Sequence, residues 1–107
     1  MGITKTAIFT EEQNHLATML KAIAHPARIA ILQQIISANA CICGQLADTL
    51  GLAQPTISQH LKELKNAGII KGTIEGTAIC YCINENIFRK MESYFSVFNK
   101  QLKDKCC

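Results

Sequence analysis

The stretch from Cys43 to Ala67 constrains this chain more than any other, because it carries two short helical patterns separated by a break. Apolar residues recur at helical spacing on both sides of Gly51, at Leu46, Ala47 and Leu50 before it and at Ile57, Leu61 and Leu64 after it. The second pattern opens at Gln54-Pro55-Thr56, where proline is tolerated because its missing N–H has no helical partner, and the polar residue before it can cap. The stretch therefore predicts a helix-turn-helix.

Outside its apolar stripe, the second helix carries hydroxyl, amide and basic side chains. Such groups hydrogen-bond base edges and phosphates when a helix enters the major groove of DNA. Any surface helix also shows a polar outer face, and Ser58 and His60 could be structural, Ser58 by bonding a phosphate and His60 by packing or capping. The predicted DNA-binding residues are Gln54, Thr56, Ser58, Gln59, His60, Lys62, Lys65 and, at the base of the next element, Lys71.

Length and charge fit one small DNA-binding domain. The chain has 107 residues, and we treat residues 1–107 as a single domain. Hydrophobic residues make up 49% and charged residues 18%, so we expect some apolar surface to be hidden in a subunit interface. Residues 1–53 hold three basic and three acidic residues, whereas residues 54–107 hold eight basic and five acidic ones. The whole net charge of +3 therefore lies in the half that begins with the predicted DNA-reading helix.

Two helices are predicted before this motif. Thr10 can cap a helix over Glu11–Ala24, which has acidic residues in its first turn and which His25-Pro26 breaks. Pro26 starts a second helix that ends near Ser37. Both carry an apolar face toward a common core.

A β-hairpin is predicted after the motif, where the period of apolar residues changes from 3.6 to 2. The β-rich runs Ile69–Ile74 and Thr77–Ile83 flank Glu75-Gly76, a turn signal, and form a wing. In the return strand we expect Ile79, Tyr81 and Ile83 to face the core, which sends Cys80 and Cys82 to the other face.

The last predicted helix is capped by Asn84 and reaches about Lys105. It is too apolar on one side to be covered within one small domain, so we assign it, with the first helix, to a homodimer interface. The predicted interface residues are Leu16, Leu20, Ile87, Met91, Tyr94, Phe95, Phe98 and Leu102. The predicted fold is a mainly α, homodimeric winged helix-turn-helix with four helices, a two-stranded wing and a fifth helix.

The sequence predicts a cytoplasmic protein without a membrane partner. No N-terminal apolar run resembles a signal peptide, and no stretch approaches the roughly 20 apolar residues of a membrane helix. The six cysteines are therefore expected to be free thiols that bind soft metals, sense oxidants or are simply buried.

Four segments resemble the ArsR/SmtB family of winged-helix repressors: Leu20–Leu32, Cys41–Ala47, Leu52–Leu61 and Leu64–Ile70. The resemblance covers roughly residues 15–94. It implies a dimer that holds operator DNA when unliganded and releases it when a metal or an oxidant alters the dimer. The wing departs from the family pattern, because its tip carries no arginine and the basic residue nearest to it is Lys71.

The resemblance also points to the cysteines as a sensor. Cys41 and Cys43 occupy the place where metal-sensing members carry a Cys-x-Cys, although the third cysteine used for arsenite is replaced here by Leu46. Other members place reactive cysteines near the C-terminus, which makes Cys106 and Cys107 a second candidate pair. Soft thiolates favour As(III) or Sb(III), or Cd(II), Pb(II) or Zn(II), as an inducer, and none is required for folding.

Other interpretations remain beside this one. Cys41 and Cys43 could be semi-buried filling, Cys106 and Cys107 a frayed tail, and Cys80 and Cys82 unreactive strand residues whose mutual disulfide would be strained. The runner-up function is a repressor that responds to oxidants or reactive sulfur through thiols, and a winged helix for protein contacts is a third. Catalysis is not expected, because the sequence contains no nucleophile–base motif and no phosphate-binding glycine loop.

Overall fold

The computed structural model describes residues 8–38, 41, 46–76 and 78–103. Its elements are α1 (Glu11–Ile23), α2 (Pro26–Ser37), α3 (Leu46–Leu50), α4 (Gln54–Asn66), β1 (Ile70–Glu75), β2 (Ala78–Ile83) and α5 (Glu85–Lys103). The two strands pair antiparallel, with Ile70 opposite Ile83 and Glu75 opposite Ala78. This is the predicted mainly α winged helix-turn-helix.

Local capping explains where the first two helices begin. The Thr10 hydroxyl accepts a hydrogen bond from the backbone N–H of Gln13, whose side chain accepts one from the Thr10 N–H in return, a complete capping box. Nδ1 of His25 accepts from the N–H of Ala27 at 3.0 Å and caps α2, which starts at Pro26 as predicted. His25 and Pro26, which separate α1 from α2, therefore also start α2.

The turn between α3 and α4 uses a left-handed residue. Gly51 has φ +70°, a conformation that L side chains rarely adopt, and its N–H closes α3 on the carbonyl of Ala47. The predicted cap of α4 was wrong: Ala53 is the N-cap and makes no side-chain hydrogen bond, and Gln54 is already helical. Pro55 in the first turn favours the start of α4, and the Gln54 amide donates a hydrogen bond to the Ser58 hydroxyl at 3.3 Å.

The core lies where α1, α2, α4 and the wing meet. Cys80 of β2 is buried, and the central cluster of buried side chains consists of Leu16, Met19, Ala22, Ile31, Leu32, Ile35, Leu46, Ile57, Leu61, Leu64, Ile69, Ile70 and Met91. Two contacts hold the wing and α5 to the end of α4. The backbone N–H of Asn84 donates to the carbonyl of Ile69, and its side-chain amide donates to the carbonyl of Gly68 at 2.9 Å.

The face assignment of β2 was wrong at its first residues. Ile79 is 48% exposed and Cys80 is fully buried, whereas Tyr81 and Ile83 pack partly buried against the core as expected. Ile79 lies near the hairpin tip opposite Ile74, which is 81% exposed, so the strand has left the body of the protein at that point. The ribbon also contacts α4 through β1 and α2 through β2, so neither of its faces is wholly solvated.

No helix among the residues that the structure describes is long and apolar enough to cross a membrane.

Candidate nucleic-acid interface and thiol site

Helix α4 presents a polar face away from the core. Ile57, Leu61 and Leu64 hold it against the other helices. At about 100° per residue, Gln59 lies about 200° and Lys62 about 140° around the helix from Ile57, so both point outward. Of the predicted DNA-binding residues, seven are exposed: Gln54, Thr56, Ser58, Gln59, Lys62, Lys65 and Lys71.

The amides of this face are engaged within α4. Gln59 donates to the Glu63 carboxylate at 3.1 Å, and Gln54 donates to the Ser58 hydroxyl at 3.3 Å. These exposed side-chain bonds are weak and are replaced at little cost when a better partner arrives. The two amide groups lie about 1.4 helical turns apart and can exchange their partners.

His60 is not on the outward face. It lies only about 60° around the helix from Ile57, on the side of α2, and its Nδ1 accepts a hydrogen bond from Nε of Arg28 at 3.1 Å. Arg28 also donates to the carbonyl of Ala22 at 3.0 Å, and the His25 and His60 rings lie 4.6 Å apart. Burial lowers the pKa of His60, and His25 and Arg28 lower it further. The residue therefore joins α4 to the α1–α2 junction as a neutral acceptor, which is the structural role left open for it.

Lysine side chains extend the polar face toward the wing. Nζ of Lys65 is 3.4 Å from where a Cβ on Gly72 would lie, so this side chain runs across β1. Lys71 is exposed on the same strand. Because successive side chains of a strand point to opposite faces, Lys65 and Lys71 lie on the two faces of β1.

The structure brings together a pair of cysteines that the sequence did not pair. Cys41, between α2 and α3, forms a disulfide with Cys82 of β2, and their Cα atoms are 4.6 Å apart. Cys80 is disulfide-bonded as well, so the expectation of free thiols differs from the structure at all three positions. The predicted sensor residues Cys43, Cys106 and Cys107 lie outside the described residues.

Cys82 is the residue that sequence reasoning missed. It was treated as an unreactive strand residue, whereas the fold places it against a segment 41 positions earlier in the chain. The available signal was the repetition of the Cys-x-Cys spacing at residues 41–43 and 80–82. Two cysteines that are two residues apart on a strand lie on the same face, so they can pair with cysteines of another segment that packs on that face.

An open groove of about 660 Å³ lies beside this disulfide, between α2, β2 and α5. Its lining combines apolar and charged side chains, among which Glu85 and Arg89 are paired at 3.4 Å. The lining residues are Ile35, Ile36, Cys41, Cys82, Ile83, Glu85, Phe88, Arg89 and Glu92. In the part of the chain that the structure describes, no three side chains of His, Cys, Asp or Glu form a metal cluster.

The predicted interface residues fall into two groups. Leu16 and Met91 are buried within the chain, and Ile87 and Tyr94 pack partly buried against its core, with Nδ1 of His15 3.3 Å from the Tyr94 hydroxyl. The others leave large apolar surface exposed, at 39% for Leu20, 43% for Phe95, 47% for Phe98 and 64% for Leu102.

Comparisons with known proteins agree with this geometry. Residues 25–71 match the family model described as bacterial regulatory protein, arsR family. The chain is 43% identical over 63 residues to the HTH-type transcriptional repressor SmtB of Mycobacterium tuberculosis, covering 59% of this chain and 46% of the relative, so it spans about half of that protein's length. It is 40% identical over 74 residues to the HTH-type transcriptional regulator MJ1325 of Methanocaldococcus jannaschii, covering 68% of this chain and 82% of the relative.

A solved structure shows the same fold. The ArsR-like transcriptional regulator from Rhodococcus sp. RHA1 superposes with a TM-score of 0.75 at 19% identity, over 88% of each chain. The named relatives are transcriptional regulators and not enzymes. With the helix-turn-helix, the wing and the sequence matches all in agreement, the chain belongs to the arsR family of bacterial regulatory proteins.

Proposed function

We propose that this protein is a homodimeric transcriptional repressor that binds operator DNA through α4 and releases it when a soft metal or metalloid is bound by cysteine thiolates. The observation that carries the proposal is the position of Cys41, which lies between α2 and the helix-turn-helix and is bonded to Cys82 of β2, the second strand after that motif. A ligand held at Cys41 acts on both ends of the DNA-reading motif.

The DNA contacts proposed for α4 divide into two kinds. Gln59, Ser58 and Thr56 have the amide and hydroxyl groups that read base edges, whereas Lys62, Lys65 and Lys71 have the charge that binds phosphates. His60 positions α4 through Arg28 and makes no base contact in this proposal. Phosphate contacts release counterions, so affinity should fall steeply as salt increases.

Fluorescence anisotropy on DNA from upstream of the protein's own gene tests the interface. A Gln59→Ala, Lys62→Ala double variant should bind at least tenfold more weakly than the wild type. Lys90→Ala, which removes an exposed lysine of α5, is the matched control and should bind normally. Unchanged affinity of the double variant would exclude α4 as the reader, and no DNA binding by the wild type would favour a protein-contact module.

The proposed sensor begins with Cys41 and Cys43, with Cys106 and Cys107 as a further source of thiolates. Thiolates bind As(III), Sb(III), Cd(II), Pb(II) and Zn(II) better than hard cations. Ligand binding there would move the N-terminus of α3 and with it α4, which is the coupling that release of DNA requires.

Titration of the reduced protein–DNA complex with arsenite, and then with Cd(II), tests the sensor. We expect the Cys41→Ser, Cys43→Ser variant to stay on DNA at inducer concentrations that release the wild type. The Cys106→Ser, Cys107→Ser variant separates the two pairs. Normal release of DNA by the first variant would remove Cys41 and Cys43 from the sensor.

A second candidate is a repressor controlled by thiol oxidation, and the Cys41–Cys82 disulfide favours it. In this case a small disulfide or a persulfide, and not a metal, would release the DNA. Release under reducing conditions by metal alone supports the metal sensor, whereas release only by the sulfur reagent supports this alternative.

The proposed dimer uses the exposed apolar side chains of α5 and α1. Phe95, Phe98 and Leu102 lie on a helix that extends past its last contact with the core at Tyr94. Unpaired apolar surface of this kind marks protein interfaces. Sedimentation equilibrium should give twice the mass of one chain.

A further inference from the structure

Arg28 of α2 links three helices at the α1–α2 junction. Its Nη1 donates to the carbonyl of Ala22 at 3.0 Å, and its Nε donates to Nδ1 of His60 in α4 at 3.1 Å. Ala22 lies in the last turn of α1, where the carbonyl groups lack partners within the helix and a cation is favoured. One guanidinium group therefore joins the end of α1 and the proposed DNA-reading helix to α2.

The two bonds depend on the shape of the arginine side chain. The N–H groups of a guanidinium lie in a rigid plane and point in different directions, so one side chain can serve two acceptors at once. A lysine has the same charge but carries it on a single nitrogen at the end of a flexible chain. Arg28 and His60 are both half-buried, so water competes with this link less than with a bond at the surface.

The bond from Arg28 sets the protonation state of His60. An arginine keeps all its protons in a protein, so Nδ1 of His60 is the acceptor and the ring proton of the neutral imidazole is on Nε2. A second proton can be added only at Nδ1, where it removes the lone pair that accepts from Arg28. The link between α2 and α4 therefore exists only while His60 is neutral.

The charges around His60 oppose a second proton. Burial lowers the pKa of His60 most, and His25, whose ring is 4.6 Å away, and Arg28 lower it further. Four other charged groups, on α4 or on the elements packed against it, do not contribute to this shift: Lys21, Asp48, Glu63 and Lys71. No carboxylate in the described part of the chain therefore compensates for a proton on His60, and the protonated ring faces the Arg28 guanidinium as a second cation.

We propose that Arg28 is a positioning residue for DNA reading: it sets the orientation of α4 through neutral His60, and a proton on His60 breaks this link and lowers the affinity for operator DNA. The proposal deepens the DNA-binding function proposed above and rests on it for the effect on DNA. The proton is taken up from the solvent as the pH falls.

The apolar contacts of α4 fix its orientation less well than this bond does. Ile57, Leu61 and Leu64 hold the helix by burial, which has no preferred direction. The hydrogen bond between Arg28 and His60 is directional, so it fixes how far α4 is turned about its own axis against α2. The proposed base-reading residues lie on the same helix, so a turn of α4 moves them away from the base edges.

An Arg28→Lys variant tests the positioning role, because it keeps the positive charge and cannot make both bonds. Fluorescence anisotropy is measured at about pH 7.5, where histidine is mostly neutral, on DNA from upstream of the protein's own gene and on an unrelated duplex of equal length. Affinity for the upstream DNA should fall about tenfold and affinity for the unrelated duplex less than about twofold, because base contacts are lost and phosphate contacts remain. The slope of log affinity against log salt should stay the same.

Arg89→Lys is the matched control, because it makes the same exchange at an exposed arginine of α5. This variant should bind both duplexes as the wild type does. Normal affinity of Arg28→Lys for the upstream DNA, or an equal loss of affinity on both duplexes, would overturn the proposal. The circular dichroism spectrum of each variant establishes that it is folded.

The pH profile tests the role of the proton. Between about pH 7.5 and about pH 5.5, the ratio of the affinity for upstream DNA to that for the unrelated duplex should fall about fivefold for the wild type, which one proton per chain can supply. The ratio is used because a proton on any histidine adds positive charge and strengthens binding to both duplexes.

Two histidine variants show which group takes up the proton. His60→Asn, whose side-chain oxygen can accept from Arg28 but cannot titrate, should change this ratio less than about twofold over the same pH range. His15→Asn removes a titrating group on α1 and should keep the wild-type profile. Equal pH profiles of the wild type and His60→Asn refute the proposal.

Nuclear magnetic resonance of the free chain separates this link from DNA binding. At about pH 7.5 the ring proton of His60 should be on Nε2, and amide signals along α4 beyond the neighbours of His60 should shift as His60 titrates. A ring proton on Nδ1, or α4 signals that do not shift, rules out the link to Arg28 whether or not the chain binds DNA. A wild type that binds neither duplex at about pH 7.5 refutes the proposed function, and the resonance data still decide the link.

Discussion

Loss of the Cys41–Cys82 link should cost the oxidised protein about 4 kcal/mol of unfolding free energy. The two cysteines are 41 residues apart in the chain. In the chain-entropy model, a cross-link over about 40 residues lowers the entropy of the unfolded chain by an amount worth about 4 kcal/mol at 25 °C. The cross-link acts on the unfolded state, so the estimate does not depend on contacts made by the sulfur atoms.

A Cys41→Ala, Cys82→Ala variant isolates this contribution. Unfolding in urea is measured for the wild type and for the variant, each in the oxidised and in the reduced state, at one protein concentration. Oxidation should raise the free energy of unfolding by about 4 kcal/mol more in the wild type than in the variant. With a slope of about 2 kcal/mol/M, this corresponds to a shift of about 2 M in the urea midpoint.

Both proteins in this comparison also carry Cys80→Ala, because Cys80 lies two residues before Cys82 and is itself disulfide-bonded, and that second cross-link would change the loop that the Cys41–Cys82 bond closes. Any packing lost at Cys82 affects both redox states of the variant alike. A difference below about 1 kcal/mol would refute the reasoning, because a cross-link over a loop of this length should lower the entropy of the unfolded chain by much more than that. Free thiols at Cys41 and Cys82 after oxidation of the wild type would refute it as well.

Four further outcomes are expected. Because burial, His25 and Arg28 lower the pKa of His60 in the fold, the unfolded chain binds more protons, and stability should fall as pH drops below about 6.5. His60→Asn, which can still accept from Arg28 but cannot titrate, should lose less stability than the wild type between about pH 8 and about pH 5 in urea denaturation, and an equal loss would contradict this. Lys62→Ala should reduce the slope of log affinity against log salt by about 1, and a parallel line would exclude a phosphate contact. Phe98→Glu should give a folded monomer by sedimentation, and an unchanged dimer mass would place the interface elsewhere. Gly51→Ala should lower stability by about 1 kcal/mol because its φ is +70°, and an unchanged thermal midpoint would contradict this.

Short-range chemistry made several elements predictable from sequence. Thr10, His25-Pro26 and Gly51 each act on residues close to them in the chain, so the Thr10 cap, the α1–α2 break and the motif turn could all be placed. The period of apolar residues does the same for the faces of helices, because burial repeats every 3.6 residues. For His60 the sequence left two roles open, and its position about 60° around the helix from Ile57 favours the structural one.

The start of α4 shows where local signals give several answers. A polar residue before Pro55 fits an N-cap, yet Ala53 occupies that position. The helix is held by the burial of Ile57, Leu61 and Leu64, and this packing fixes it without a side-chain cap.

What the sequence by itself determined is the helix-turn-helix, the wing and the polar face of α4, since each follows from spacing and turn residues along a short segment. The tertiary structure alone decided which faces of β2 are buried and which cysteines meet. Cys41 and Cys82 are brought together because β2 packs on α2, and Cys80 is buried while Ile79 is exposed because the hairpin leaves the protein at its tip. Such contacts join residues far apart in the chain, so no local periodicity encodes them.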